Sequence, residues 1–307
     1  MSSADLVRAF SAVAVIFLAG CATHVGKPNA MQPAQTRTSF QVFRDIVYTP
    51  SGWPEALVAD LYRPEISGLR PAVLLLHGGG WKVPERRRDM RSIAEKLARR
   101  GYVVLNATYR MTPRWQYPAP VDDLREAIRW LRAHSAEHGV DPARVAAFGY
   151  SAGGHLAALL GVLEGPPDTR VQAVVAGGAP SDLTLYAGGE LVPAFLGGTQ
   201  AQVPARFREA SPVTHVSVGD PPFFIYHGTW DRLVIPEHAR RLSVALTKAG
   251  VRHELYWLKA RAHISGFLLE GGSEDAAIDF FDREIAARGS LTEKTEKPEG
   301  VTPTKSP

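Results

Sequence analysis

The feature that most constrains the fold is an alternation. Short apolar runs, each bounded by turn residues, exchange with stretches of helical period. Residues 72–76, 102–105, 145–148, 171–175 and 223–226 are almost continuous in Val, Leu, Ile, Ala, Phe and Tyr, the pattern of strands buried on both faces. Between residues 121 and 138, Leu124, Ile128 and Leu131 fall on one helical face. Asp122 and Asp123 stand in that helix's first turn, where the backbone dipole favours negative charge. Such alternation packs as an α/β unit, a mostly parallel sheet with helices on both faces. Residues 253–257 alternate in polarity and suit an edge strand, while residues 42–48 and 56–61 suit an antiparallel hairpin at one edge.

The two ends read differently. An apolar run from Ala9 to Gly20 follows Arg8. It is too short for a membrane span, which needs about 20 residues, but suits the core of a signal peptide. It closes as Leu18-Ala19-Gly20-Cys21, with the only cysteine of the chain, and resembles the lipobox of bacterial lipoproteins. The resemblance implies a lipidated Cys21 as the mature first residue and a membrane partner. The alternative is an ordinary secretory signal that contains a cysteine. Ala22 is not the aspartate that favours inner-membrane retention, so the expected location is the cell envelope, and the outer membrane where the source has two. A single cysteine excludes an intramolecular disulfide framework and a cysteine zinc site. Residues 22–39 are polar with Gly and Pro and read as a flexible tether, and residues 290–307 read as a disordered tail. The expected division is therefore 1–20 signal peptide, 21–39 tether, 40–289 catalytic domain and 290–307 tail.

The formal net charge is only +4. Its denser basic groups, Arg86-Arg87-Arg88 and Arg99-Arg100, lack interleaved aromatics. They read as solvated helix faces, not as a nucleic-acid module.

Candidate chemistry begins at Gly149-Tyr150-Ser151-Ala152-Gly153-Gly154. An apolar strand precedes it and a helical stretch from His155 follows it. Ser151 therefore stands in a tight strand-to-helix turn, its hydroxyl exposed beside a helix N-terminus. A phosphate or dinucleotide loop would need a different glycine spacing. His77-Gly78-Gly79-Gly80-Trp81 ends the strand at 72–76. Its consecutive glycines can aim N–H groups at one point, as a developing oxyanion requires, with the N–H of Ala152 completing the set. A serine nucleophile needs a base, and the base needs an orienting acid. Asp231 lies just past the strand at 223–226, and His263 on a loop past the strand at 253–257. His215, His227, His238 and His253 also follow Ser151, but His238 falls in a helical stretch, His253 opens a strand, His215 lies in the lid segment and His227 is too close to Asp231. Asp182 is the competing acid. His77 reads as a support for its own loop.

These motifs, together with Asn106-Ala107-Thr108-Tyr109-Arg110 and Ala262-His263-Ile264-Ser265-Gly266-Phe267, resemble the α/β-hydrolase esterases over residues 40–288. The similar groups are the hormone-sensitive-lipase-like and bacterial feruloyl-esterase-like proteins. The resemblance implies an α/β-hydrolase fold with a small lid and a Ser151–Asp231–His263 triad. It also implies an oxyanion hole of Gly78, Gly79 and Ala152, a small-molecule ester as substrate, and no metal or cofactor. Tyr150 stands where the hormone-sensitive-lipase-like group carries Asp, which points toward feruloyl-esterase-like or arylformamidase-like branches. An amidase or small exopeptidase of the same fold, and a non-catalytic binding protein, are the other readings. Residues 180–216 interrupt the strand pattern and suit the lid. Leu183, Leu185, Tyr186, Phe195, Leu196 and Phe207 there either line an acyl pocket or pack beneath the loop. The Asn106 sequon falls at a strand end and is discounted as a glycosylation site.

Overall fold

The computed structural model describes residues 22–26, 37–84 and 86–286. The expected signal peptide, Cys21 and the 290–307 tail lie outside the described residues. The strands are β1 (Ala22–Val25), β2 (Phe40–Val47), β3 (Val58–Pro64), β4 (Arg70–Leu76), β5 (Val103–Ala107), β6 (Val140–Tyr150), β7 (Val174–Gly177), β8 (Phe223–Gly228) and β9 (His253–Leu258). They form one sheet in the order β1-β9-β8-β7-β6-β4-β5-β3-β2. From β5 through β9 the neighbours run parallel, and the hairpin β2–β3 joins antiparallel beside β5.

Side-chain alternation explains why helices cover both faces. On β4, Leu74 and Leu76 belong to one core, while Val73 and Leu75 belong to the other, since successive residues of a strand point to opposite sides. The first core receives Leu124, Ile128 and Leu131 of α2 (Ala119–Ala133), Leu156 of α4 (Ala152–Val162) and Leu242 of α7 (Glu237–Lys248). The second receives Ile93 and Leu97 of α1 (Arg91–Arg99), with Phe280 and Phe281 of α9 (Ser273–Phe281). Short helices complete the order: α3 (Ser135–His138), α5 (Leu191–Leu196), α6 (Pro204–Glu209) and α8 (His263–Leu268).

The structure departs from the sequence expectations in several places. Residues 22–25 are not tether but β1, pairing with β9, so the sheet begins before residue 40 and 253–257 is not its edge. The side chains reinforce that pairing: the His24 imidazole bonds the Glu254 carboxylate at 2.7 Å and lies against Phe224 and Tyr256. The strand expected at 171–175 starts later, at Val174.

The basic groups are not simply solvated faces. Arg87 donates to Asp45 and Asp60 at 2.6 and 2.8 Å, and Arg100 donates to Asp279 and Asp282. Asp122 stays in the first turn of α2. Asp123 is buried beneath Arg110 and Trp53 and accepts a hydrogen bond from each. Asn106 is buried, donating to the Arg87 carbonyl, and is closed to a glycan.

Candidate active site

Ser151 caps α4 with φ 56° and ψ −122°, a conformation costly for a residue bearing a Cβ. The surrounding packing imposes it. A Cβ on Gly149 would stand 2.2 Å from the Gly153 carbonyl, and one on Gly153 would stand 2.2 Å from the Leu76 carbonyl oxygen. Only glycine lets the end of β6, the start of α4 and the end of β4 approach this closely. The turn is pinned by the Ser151 N–H donating to the Gly177 carbonyl at 2.8 Å. Ser151 Oγ is thereby held at the C-terminal end of the parallel strands.

From the ends of β8 and β9 come two more side chains. Ser151 Oγ lies 2.8 Å from His263 Nε2, and His263 Nδ1 lies 2.6 Å from Asp231 Oδ2. An ionised carboxylate can only accept, so Nδ1 carries the proton and Nε2 is free to accept from the serine. Asp231 is itself fixed. Its other oxygen accepts from the N–H groups of Leu233 and Val234 at 3.0 and 2.8 Å. Burial pushes its carboxyl upward, but the His263 hydrogen bond and charge, with the Val234 N–H, outweigh that and hold it below the usual range.

Of the residues expected from sequence, Ser151, Asp231 and His263 come together in this relay. Asp182 does not. It caps the turn at Thr184 and pairs with Arg241 at 2.7 Å. Of the other histidines, His227 Nε2–H donates to the Val234 carbonyl, supporting the Asp231 loop from behind, and His253 contacts Ser243. His263 does not lie on a loop but is the first residue of α8.

The glycine loop is built as a cradle. Gly78 abuts the serine, since a Cβ placed there would lie 3.2 Å from Ser151 Cβ. His77 Nδ1 donates to the Gly78 carbonyl at 2.6 Å. In a trans peptide the next N–H points the opposite way, so the Gly79 N–H faces away from the imidazole. Gly79 itself has φ 113°. Among the described residues, neither the Gly78 nor the Gly79 N–H donates to a protein acceptor. Ala152 supplies the first N–H of α4, which has no partner within the helix. The His77 ring stacks on Tyr109 at 4.7 Å, and the Tyr109 hydroxyl donates to the His77 carbonyl. Burial pushes the imidazole down to about 4, leaving it a neutral donor.

A cavity of about 650 Å³ opens over Ser151. Its wall is largely apolar, with Trp81, Tyr186, Leu191, Val192, Leu233 and Phe267, and Gly78, Gly79 and Ala152 lie at its base. Of the residues expected in the lid, Tyr186 reaches the wall, whereas Leu183, Phe195, Leu196 and Phe207 are packed in the core. One contact was missed from the sequence. The Tyr150 hydroxyl donates to the His263 carbonyl at 2.6 Å, and its ring packs on the imidazole and on Phe267. The signal was the unusual residue before the serine.

A parallel sheet presenting a serine, an aspartate and a histidine from the C-terminal ends of β6, β8 and β9, beneath an apolar cavity, defines an α/β-hydrolase of the esterase class. Comparison with known proteins agrees: the family profile BD-FAE matches residues 59–246, and the chain belongs to that family. It is 31% identical to the esterase LipQ of Mycobacterium tuberculosis over 87% of this chain and 68% of that protein. It is 33% identical to the probable carboxylic ester hydrolase LipM of the same organism, over 57% of this chain and 44% of that protein. A thermophilic esterase from the planctomycete Thermogutta terrifontis, solved with butyrate bound, superposes with a TM-score of 0.66 at 28% identity, covering 82% of this chain and 95% of that one. A carbohydrate esterase from gut microbiota shares the fold, with a TM-score of 0.72 at 21% identity over 82% of this chain and 98% of that one. The protein is an enzyme of the carboxylesterase type.

Proposed function

We propose that this enzyme cleaves small or medium carboxylic esters in two steps through an acyl-enzyme on Ser151. His263 Nε2 takes the Ser151 proton as Oγ attacks the carbonyl. Asp231 holds the Nδ1–H tautomer and stabilises the imidazolium, and the N–H groups of Gly78, Gly79 and Ala152 receive the oxyanion. The imidazolium then protonates the leaving alcohol. Water, deprotonated by the same nitrogen, releases the acid.

The observation that carries this reading is the continuous Ser151–His263–Asp231 relay at 2.8 and 2.6 Å. The butyrate-bound relative, and the same esterase phosphonylated by sarin, support it by analogy. By analogy with the butyrate-bound relative, rates should fall from butyrate toward palmitate esters. The test is a panel of acetyl, butyryl, octanoyl and feruloyl esters with N-formylkynurenine and a peptide anilide, read beside mass spectrometry of a quenched butyrate reaction. A butyryl adduct on Ser151 is expected. Preferred turnover of N-formylkynurenine or the anilide would transfer the enzyme to the amidase or peptidase readings. Interfacial activation by long-chain lipid droplets would also count against this reading.

We further propose that Cys21 carries the lipid anchor and places the enzyme in the cell envelope, at the outer membrane where the source has two. The supporting observations are the apolar run from Ala9 to Gly20 and the Leu18-Ala19-Gly20-Cys21 sequence. Three acyl chains would exceed the two signals that stable attachment needs. Cys21→Ser should keep turnover per molecule and lose membrane attachment or processing. Wild-type protein wholly soluble, with residue 21 unmodified by mass spectrometry, would refute it.

A further inference from the structure

We propose that the mouth of the catalytic cavity faces an anionic phospholipid bilayer, with Trp230, Ile264, Leu268 and Leu269 resting on the membrane surface. The proposal rests on the reading of Cys21 as the anchor, and it adds what that reading leaves open: which side of the domain the membrane meets.

The strand register supplies the orientation. β1 runs antiparallel to β9, with Ala22 opposite Leu258, and Leu258 is in turn opposite Gly228 of the parallel strand β8. Gly228 and Leu258 are the last residues of the strands whose following loops bring Asp231 and His263. Ala22 therefore lies at the active-site end of the sheet. A lipid on the residue bonded to Ala22 would begin one residue, about 3.8 Å of main chain, beyond that strand end. Because β1 is hydrogen-bonded into the sheet, no slack chain separates the anchor point from the domain. The domain does not stand off on a tether.

The surface at that end is unusual for water. Trp230, Ile264, Leu268 and Leu269 are 67, 64, 68 and 57% exposed. A single exposed apolar residue needs no explanation, but a group around one mouth does. These residues are neighbours through the main chain. The Trp230 N–H donates to the Arg261 carbonyl, the Thr229 N–H to the Leu258 carbonyl, and Arg261 Nε to the Leu269 carbonyl. Ile264 and Leu268 line the cavity itself.

Two cations complete the pattern. Arg232 and Lys259 are exposed, one following Asp231 and the other following Leu258, and neither makes an ion pair among the described residues. An amphipathic aromatic, aliphatic side chains and unpaired cations suit the boundary between acyl chains and acidic headgroups. An ester dissolved in that bilayer would reach Ser151 without crossing bulk water.

The test reconstitutes the full-length wild-type chain with vesicles of phosphatidylglycerol and phosphatidylethanolamine bearing brominated acyl chains. Trp230 emission is isolated by difference from Trp230→Phe, and the mass of the Cys21 peptide is measured in the same sample. Quenching of Trp230 is expected, and Leu269→Asp combined with Lys259→Ser should remove most of it while hydrolysis of a water-soluble butyrate ester is unchanged. Protein that fails to float with the vesicles, or that floats with Trp230 unquenched, overturns the proposal. Equal quenching in pure phosphatidylcholine overturns the part assigned to Arg232 and Lys259. A lipidated Cys21 with unquenched Trp230 sinks the orientation and keeps the anchor. An unmodified Cys21 with quenched Trp230 sinks the anchor and keeps the membrane-facing mouth.

Discussion

The Tyr150 hydroxyl donates to the main-chain carbonyl of His263 at 2.6 Å, joining the residue before Ser151 to the histidine of the relay across 113 positions of sequence. The bond fixes the start of α8, and so the distance from Nε2 to Ser151 Oγ. Tyr150→Phe keeps the ring contacts with His263 and Phe267 and deletes only the donor. A buried carbonyl losing its partner costs about 1–3 kcal/mol. If that loss falls on positioning, kcat should drop by roughly tenfold with KM little changed. An unaltered kcat would make the bond merely structural.

Gly78 and Gly153 should respond differently to one added methyl. On Gly78 it would stand 3.2 Å from Ser151 Cβ and from the Tyr150 carbonyl oxygen, so small shifts can admit it. Gly78→Ala should fold, with an unchanged circular dichroism spectrum, and lose roughly a hundredfold in kcat as an oxyanion donor is displaced. On Gly153 the methyl would stand 2.2 Å from the Leu76 carbonyl oxygen, which nothing short of separating β4 from α4 relieves. Gly153→Ala should not yield soluble folded protein. Comparable yields of the two variants would contradict this account of the turn.

The relay should fail as a unit. Ser151→Ala and His263→Ala are each expected to lower kcat by roughly 10⁴–10⁶, and the double variant should be little worse. Asp231→Asn should cost roughly 10⁴, because an amide in that position favours the wrong imidazole tautomer. Asp182→Asn should leave kcat within a few-fold, since Asp182 is engaged by Thr184 and Arg241 and touches none of the three. Steady-state kinetics beside thermal melts of each variant would check the set. A greater loss from Asp182→Asn than from Asp231→Asn, with both folded, would reverse the acid assignment.

What the sequence reveals here depends on how local the cause is. Ser151, Asp231 and His263 are legible because each follows a recognisable strand, and parallel strands place their C-terminal ends together. β1 was not legible. Ala22-Thr23-His24-Val25 is too short and mixed to show a period, and its partner lies more than 200 residues away. Arg100 looked solvated because its partner Asp282 is 182 positions distant. Tyr150 was visible as an unusual residue, but its purpose depends on the position of α8. In each case the missing information was tertiary proximity, which spacing along the chain does not contain.

Acid should unfold the protein through histidines that the proposed chemistry never protonates. His77, His155 and His238 are buried, and burial pushes their imidazoles down from 6.5 to about 4, about 4 and about 3. Each is lower in the folded chain than in the unfolded one, so below pH 6.5 the unfolded state binds protons that the folded state does not. Stability therefore falls as pH drops from about 6.5 toward about 4, by about 1.4 kcal/mol per pH unit for each such group. Asp231 acts in a lower window. Its depressed carboxyl contributes stability above the ordinary Asp value of about 3.9, lost only as pH falls further. His155 isolates one histidine term, since its Nε2 donates to the Ala210 carbonyl at 2.7 Å and glutamine can replace that donor without titrating. Urea melts at pH 7, 6 and 5 should show a falling midpoint in the wild type and a shallower fall in His155→Gln. Parallel pH dependences in the two proteins would show that His155 is not held neutral by burial.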